Sequence, residues 1–544
     1  MFYSDKLSNV SKKTSYMRIK SKIKCISIFA VCTMQAFASD IKNQKNSVVV
    51  SEAETPARYR NMLIVYEDND RFFVNVKETT VEALRANVSR LAGGKITHLF
   101  LCPNGQRTSY NSMAHEPIWT PVFGKEPQES WAQNCKAFAE KGIDPYAVWI
   151  DECRKIGISP WISIRMNDVH YATKPDCFRN LNFWREHRKL WRVPQKELPT
   201  SGNWSDYAFN YKHKAVRDYF LLLVRELFER YDFDGFELDW LRFGSHLTPQ
   251  NEQNETAYLT EFMREVRKIA DDSQIKRGHK IGISARVHAT AQIALSHGID
   301  ASEWAREGLV DILVPSCVYS SGDFAISVSQ WREYLGKAAA RVAVVPSVDN
   351  GFRPSDKVVR KRIDEELLNG WANAMYFSGA DSLYLFNAFY QPKLLEEVAK
   401  RGLAKEKILS AHRRHPLTFR DMGKTADARE VFLPAASNAP REFKIEFGKK
   451  PPIDESAKIL VNVGFKQNPK FGGIKVSKLC AKLNGFDAKK FKESSTPQKY
   501  GNAERALSFY FDYSALKSGA NIVRIESLDG NPVDLIWVEL EYFK

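Results

Sequence analysis

The sequence predicts a parallel (β/α)8 barrel over residues 58–412, followed by an antiparallel β-sandwich over 417–544. Three observations lead there. Eight short apolar runs recur along the first part of the chain, and amphipathic helical stretches separate them. From about residue 417 the pattern changes to short alternating runs broken by Gly, Asn and Pro. At 544 residues the chain is too long for one ordinary core, which agrees with two domains.

The eight strand candidates are "NMLIVYEDN" (61–69), "ITHLFLCPN" (96–104), "SPWISIRMND" (159–168), "DGFELDWLRF" (234–243), "KIGISARVH" (280–288), "VDILVPSCVY" (310–319), "RVAVVPSVDN" (341–350) and "DSLYLFNAF" (381–389). Segments 213–231 and 256–272 carry apolar residues every three or four positions, as helices packed on a sheet require. Two connections, 105–158 and 169–212, are long and rich in Trp, Tyr, Asn and Pro. They leave the carboxyl ends of strands two and three, where a barrel carries its site, and are expected to wall a cleft. The sandwich reading rests on "REFKIEFG", "AKILVNVGF", "LSFYFDYSAL", "ANIVRIESL" and "VDLIWVELEYF".

The first 38 residues read as a secretory signal peptide: a basic start, an apolar stretch from Cys25 to Val31, then Ala36-Phe37-Ala38. That stretch is far below the ~20 residues needed to span a bilayer. A polar leader, 39–57, follows, and the protein is expected to be secreted or periplasmic, without a stable membrane span. Residues 1–38 hold seven basic side chains against Asp5, so their removal lowers the net charge from +15 to +9. No nucleic-acid motif is present. Of the remaining cysteines, Cys102, Cys135, Cys153, Cys177, Cys317 and Cys480, none shows CxxC spacing, which argues against zinc. One or two disulfides and buried thiols are both open readings. No metal constellation is evident, and no cofactor is expected.

Alternation sorts each strand into two faces. Arg165 and Asn167, Glu237 and Asp239, and Arg286 and His288 fall on the polar faces of strands three, four and five, which in a barrel point inward. The expected arrangement is a deep layer, Arg165–Glu237–Arg286, beneath an outer layer of Asn167, Asp239 and His288. Glu237 would then be an ionised scaffold between arginines, and Asp239 a solvent-exposed working acid. Asp349, at the end of strand seven, is a candidate third carboxylate and equally a turn residue before Asn350-Gly351. Trp161, Trp184, Trp191, Trp204 and Trp240 are candidates for stacking on sugar rings and for ordinary packing.

The segment "YDFDGFELDWLRFG" resembles the fourth-strand signature of glycoside hydrolase-like (β/α)8 proteins of the glycosyl hydrolase-like 10 group. "WAREGLVDILVPSCVY" is similar to the sixth strand of such proteins. The resemblance covers the barrel only. Chitinase barrels of family 18 carry a related pattern, but their terminal acidic glutamate is Leu241 here.

The resemblance implies a secreted glycoside hydrolase acting on a poly- or oligosaccharide. Asp239 is the expected principal carboxylate, with Glu237, Asp349, Asp168 or Asp323 as its partner. Arg165, Asn167, Arg286, His288, Trp240, Arg242, Asn104 and Tyr319 form the expected substrate-binding set. The arginines suit an acidic or sulfated glycan. The alternative is a non-catalytic glycan-binding protein on a hydrolase-like barrel. The terminal sandwich is either a second carbohydrate-binding module or a structural cap.

Overall fold

Nine parallel segments pair continuously around one sheet, the first seven in chain order and the last inserted between the first and the eighth. The computed structural model describes residues 57–544 except 69, 198–203, 318–321, 353, 355–357, 419–434, 438, 468–478 and 529–531. The strands are β1 (Leu63–Glu67), β2 (His98–Leu101), β3 (Ser159–Arg165), β4 (Gly235–Asp239), β5 (Gly282–His288), β6 (Ile312–Ser316), β7 (Ala343–Val344), β8 (Ser347–Val348) and β11 (Leu383–Leu385); a small hairpin, β9 (Gly351–Phe352) with β10 (Lys361–Arg362), lies between the last two. The ring closes because β7 and β8 are two halves of one stretch. The Val345 N–H donates to Leu313 O on one side at 2.9 Å, and Pro346 O accepts from the Tyr384 N–H on the other at 3.2 Å. Eight strand positions result, as the eight apolar runs require.

Helices cover the outside. Lys214–Arg230 buries Val216, Phe220, Leu223, Val224 and Leu227, the stripe that its spacing predicts. Thr256–Arg277 ends at Gly278, whose φ of 75° places it in the left-handed cap conformation. Among the described residues no helix is long and apolar enough to cross a membrane.

The barrel interior has its own small core, formed by residues such as Ile64, Tyr66, Phe100, Trp161, Val314, Tyr384 and Phe386. Trp161 fills the floor, stacked on Phe100 with centroids 4.7 Å apart. Its ring needs space on the next two strands of the sheet, β4 and β5. Gly235 and Gly282, paired in register, supply it: a Cβ would lie 2.3 Å from the Trp161 ring at the first and 2.6 Å at the second. The Gly of the Asp-Gly in the fourth-strand signature is thus a packing requirement.

The second domain is a pair of antiparallel sheets. One contains β12 (Arg413–Pro416), β13 (Ala435–Ser437), β15 (Lys458–Gln467), β18 (Lys490–Glu493), β19 (Arg505–Phe511) and β21 (Val533–Phe543). The other contains β14 (Arg441–Glu446), β16 (Leu479–Leu483), β17 (Phe486–Asp487) and β20 (Ala520–Ser527). Their inward residues, including Phe443, Val461, Leu507, Val523 and Leu540, form a separate core. The sandwich sheet already begins with β12, four residues before position 417. Arg414 of β12 fastens the domains: it donates to both oxygens of Glu539, at 3.0 and 2.9 Å, and to Asp364 of the barrel at 3.1 Å.

Candidate active site at the barrel mouth

Registers fix the interior layers, and they differ from expectation by one layer. Glu237 is level with Ser163 and Ser284; Asp239 is level with Arg165 and Arg286. Alternation had the faces right, but the stagger between neighbouring strands, set by barrel shear, moves both arginines up beside Asp239.

Glu237 is therefore held by hydroxyls. It accepts from Ser163 Oγ at 2.7 Å, Tyr384 Oη at 2.9 Å and Ser284 Oγ at 3.0 Å, wholly removed from water. Burial, with the Asp239 charge adding to it, pushes its pKa up to about 7. The expectation of a permanently ionised Glu237 between two arginines is corrected.

Asp239 is also fully buried, which corrects its expected exposure. Arg286 Nη1 donates to both of its oxygens at 3.0 Å, and the N–H groups of Leu241 and Arg242 donate to Oδ1 at 3.1 and 2.9 Å. Arg286 in turn lies over the Phe386 ring, 3.9 Å from its centroid, which caps the pair. Asp349 is buried and clamped by Arg360 at 2.8 Å. Burial raises its pKa against the pull of Arg360, Arg242 and Arg286.

Other expected binding residues are structural. Asn167 Nδ2 donates to Phe209 O and Ser245 O, and its Oδ1 accepts from the Phe209 N–H, so its amide braces two loops. Asn104 does the same for β3, donating to Arg165 O and accepting from the Arg165 N–H. His288 is buried face to face with His297, centroids 4.3 Å apart, beneath Gly244, and burial holds its pKa well below the usual range. Trp240 packs among Tyr211, His246, Phe262 and Trp304 on the helical side of the sheet. Trp161, Trp184 and Trp191 are likewise buried, and Asp323 lines a different hollow with Lys444 and Glu446. Tyr319 lies outside the described residues.

Arg165 and Arg242 do reach a cleft, one of about 250 Å³ at the carboxyl end of the barrel. The two long loops wall it, as expected: Gln106, Arg107 and Trp131 come from the first, and His170, Tyr171 and Arg179 from the second. The cleft also holds three carboxylates, Asp68, Asp70 and Asp168.

These acids differ in environment. Arg165 bonds Asp68 with one nitrogen and Asp168, at 2.7 Å, with the other. Burial works to raise Asp168, but His170 and Arg165 overcome it and hold its pKa well below the usual range. The His170 ring follows from its neighbours: Nε2 receives Arg242 Nη2 at 2.8 Å, so Nδ1 carries the proton donated to Asp168 at 2.7 Å. This is a neutral imidazole, consistent with burial lowering its pKa. Asp70, by contrast, is held by the phenol of Tyr390 and has its pKa raised, first by burial and then by the charge of Asp68.

Asp68 and Asp70 were not singled out from sequence. They end the first strand run, "EDND", where a polar cluster also reads as an ordinary turn. Their signal was position: carboxylates just past the carboxyl end of a barrel strand.

Six buried donors on cleft-lining side chains, Gln106 Nε2, Arg107 Nε, Trp131 Nε1, Arg165 Nε, Arg179 Nε and Arg242 Nε, find no acceptor among the described residues. Neither Arg179 nor Arg242 pairs with a carboxylate among the described residues; Arg179 instead lies over the Tyr171 and Trp131 rings, at 4.6 and 5.0 Å.

No protein-family model and no curated protein sequence matches the chain. Solved structures similar to it include a cycloisomaltooligosaccharide glucanotransferase from Paenibacillus sp., complexed with cycloisomaltoheptaose. The TM-score is 0.35 and the identity 12%, over 88% of this chain but 57% of that one. The PgaB (BpsB) glycoside hydrolase domain from Bordetella bronchiseptica gives 0.38 and 13%, over 63% of this chain and 99% of that domain. Alpha-L-fucosidase isoenzyme 1 from Paenibacillus thiaminolyticus gives 0.34 and 11%, over 86% and 97%. Every score is below 0.5, and the activities in these names are those proteins' own.

Proposed function

We propose that the protein is a glycoside hydrolase whose saccharide site is the cleft at the barrel mouth. The observation that carries this is the pair Asp68 and Asp70, facing one cleft from different environments. Glycosidic cleavage needs an acid that keeps its proton and a carboxylate that does not. Asp70, raised by burial, suits the proton donor to the departing oxygen. Asp68, ion-paired with Arg165, suits the anion that stabilises the cationic sugar or activates water. Asp239 lies below as a fixed charge that anchors Arg286. The unspent donors of Gln106, Arg179 and Arg242 suit a ligand rich in oxygen. Because Arg165 and Arg286 are committed to carboxylates, any acidic or sulfated substituent falls to Arg179 and Arg242. Export, on the strength of the first 38 residues, completes the reading.

The test is a polysaccharide and oligosaccharide degradation screen with the wild type, Asp70→Asn and Asp239→Asn, scored for reducing-end release and for binding. Wild-type release abolished by Asp70→Asn with binding retained supports the proposal. Binding without release from any glycan would establish the non-catalytic binder instead. Loss of turnover in folded Asp239→Asn, with Asp70→Asn fully active, would transfer the chemistry to the buried floor.

A further inference from the structure

Tyr171 and Arg179 stand at one side of the mouth cleft. The same two side chains also line a second, open hollow of about 620 Å³, with Phe123, Lys125, Lys174 and Phe178 among its other walls. Phe123 is unusual there. Val122 and Lys125 exchange both backbone hydrogen bonds, each 2.9 Å, leaving Phe123 and Gly124 as the two residues of a tight turn. Their φ values are 48° and 76°, so both are left-handed. Such turns favour Asn, Asp or Gly, and a bulky aromatic at the first position is strained. Phe123 is also 72% exposed. It thus gains neither backbone ease nor burial from its position, the pattern of a side chain retained for a surface role.

Its backing is rigid. The Arg185 guanidinium lies 5.4 Å from the Phe123 centroid and is itself held by Pro175 O and Asn182 Oδ1 at 2.6 Å and by Cys177 O at 2.9 Å. An exposed phenyl face backed by a held guanidinium, with Tyr171 and Arg179 between it and the mouth cleft, has the form of a platform for the apolar face of a sugar ring.

We infer that this second hollow is an extension of the mouth cleft, holding further residues of the same saccharide chain, with Phe123 as the stacking platform. The occupant is thus a chain running from the cleft across Tyr171 and Arg179 to Phe123, which makes the substrate a polymer or long oligomer rather than a disaccharide. This rests on the mouth cleft being the saccharide site.

The experiment measures binding to homologous oligosaccharide series, disaccharides to octasaccharides of cello-, malto-, chito- and oligogalacturonide type. Wild type, Phe123→Ala, Phe123→Trp and a control, Phe486→Ala on β17, are compared. The expected result is that wild-type affinity for one series rises with length and that Phe123→Ala weakens the longest members about tenfold, the size of one ring contact. Its disaccharide affinity should be unchanged, with Phe123→Trp restoring length dependence and Phe486→Ala without effect. Equal weakening for short and long members, or undiminished length dependence in Phe123→Ala, overturns the extension while leaving the mouth cleft intact. No binding of any series by wild type overturns both.

Discussion

One guanidinium nitrogen of Arg286 is 3.0 Å from both carboxylate oxygens of Asp239, and neither residue is appreciably exposed to water. The two sit level on adjacent strands, so the pair is a product of register as much as of residue choice. Removing one member of a buried ion pair leaves an uncompensated charge. Asp239→Asn is expected to lower unfolding stability by about 3 kcal/mol, read from the shift in urea midpoint. An unchanged midpoint would mean the pair is not withdrawn from water.

Glu237 makes stability depend on pH in a definite direction. Its pKa rises from 4.5 to about 7 in the folded protein, so between those values the folded chain holds a proton that the unfolded chain has released. Stability from this group is full below pH 4.5 and falls as pH rises to about 7. The loss is about 3 kcal/mol. Glu237→Gln cannot titrate, so subtracting its stability profile from that of the wild type should isolate a decline confined to that window. A flat difference would refute the assignment.

Asp70 sets the corresponding expectation for activity. A carboxyl raised by burial keeps its proton to higher pH than usual, so kcat/KM should fall on the alkaline side as that proton is lost. Asp70→Asn should cost about 100-fold or more in kcat. Tyr390→Phe, which removes the phenol bonded to Asp70, should move the alkaline limb further upward, because that hydrogen bond lowers the Asp70 pKa. A downward movement would count against Asp70 as the acid.

Gly235→Ala tests the barrel floor. The new methyl would meet the Trp161 ring, which Phe100 backs, so neither can yield freely. Overpacking of this kind typically costs about 1–3 kcal/mol, measurable by thermal or chemical unfolding. Gly235→Ala combined with Trp161→Leu should recover part of the loss.

The barrel was legible because its strands are short apolar runs at regular intervals, and runs such as "DGFELDWLRF" and "KIGISARVH" contain β4 and β5. In the sandwich, β14, β15, β19, β20 and β21 were legible from alternation, whereas β16 and β18 were not: "LCAKL" is short, and all four residues of "KFKE" are exposed. The site was less accessible for a different reason. Alternation within one strand determines the face of Asp239 but says nothing of which residue on β3 or β5 stands level with it. That depends on shear, a property of the closed ring. His288, Asn167 and Asn104 show a second limit: polar residues near strand ends serve loops as readily as ligands, and only their partners distinguish the two.

The hydroxyl of Tyr384 reaches Glu237 from β11, the last strand of the ring, to β4 near its middle. A chain emerging from the ribosome therefore has Glu237 in place for almost 150 residues before this phenol exists to receive it. Until then the half-made cylinder carries an acid short of one of its three hydroxyl donors. Fragments ending before Tyr384 should accordingly fail to become smaller native barrels, because the middle of the ring is finished only by its last strand.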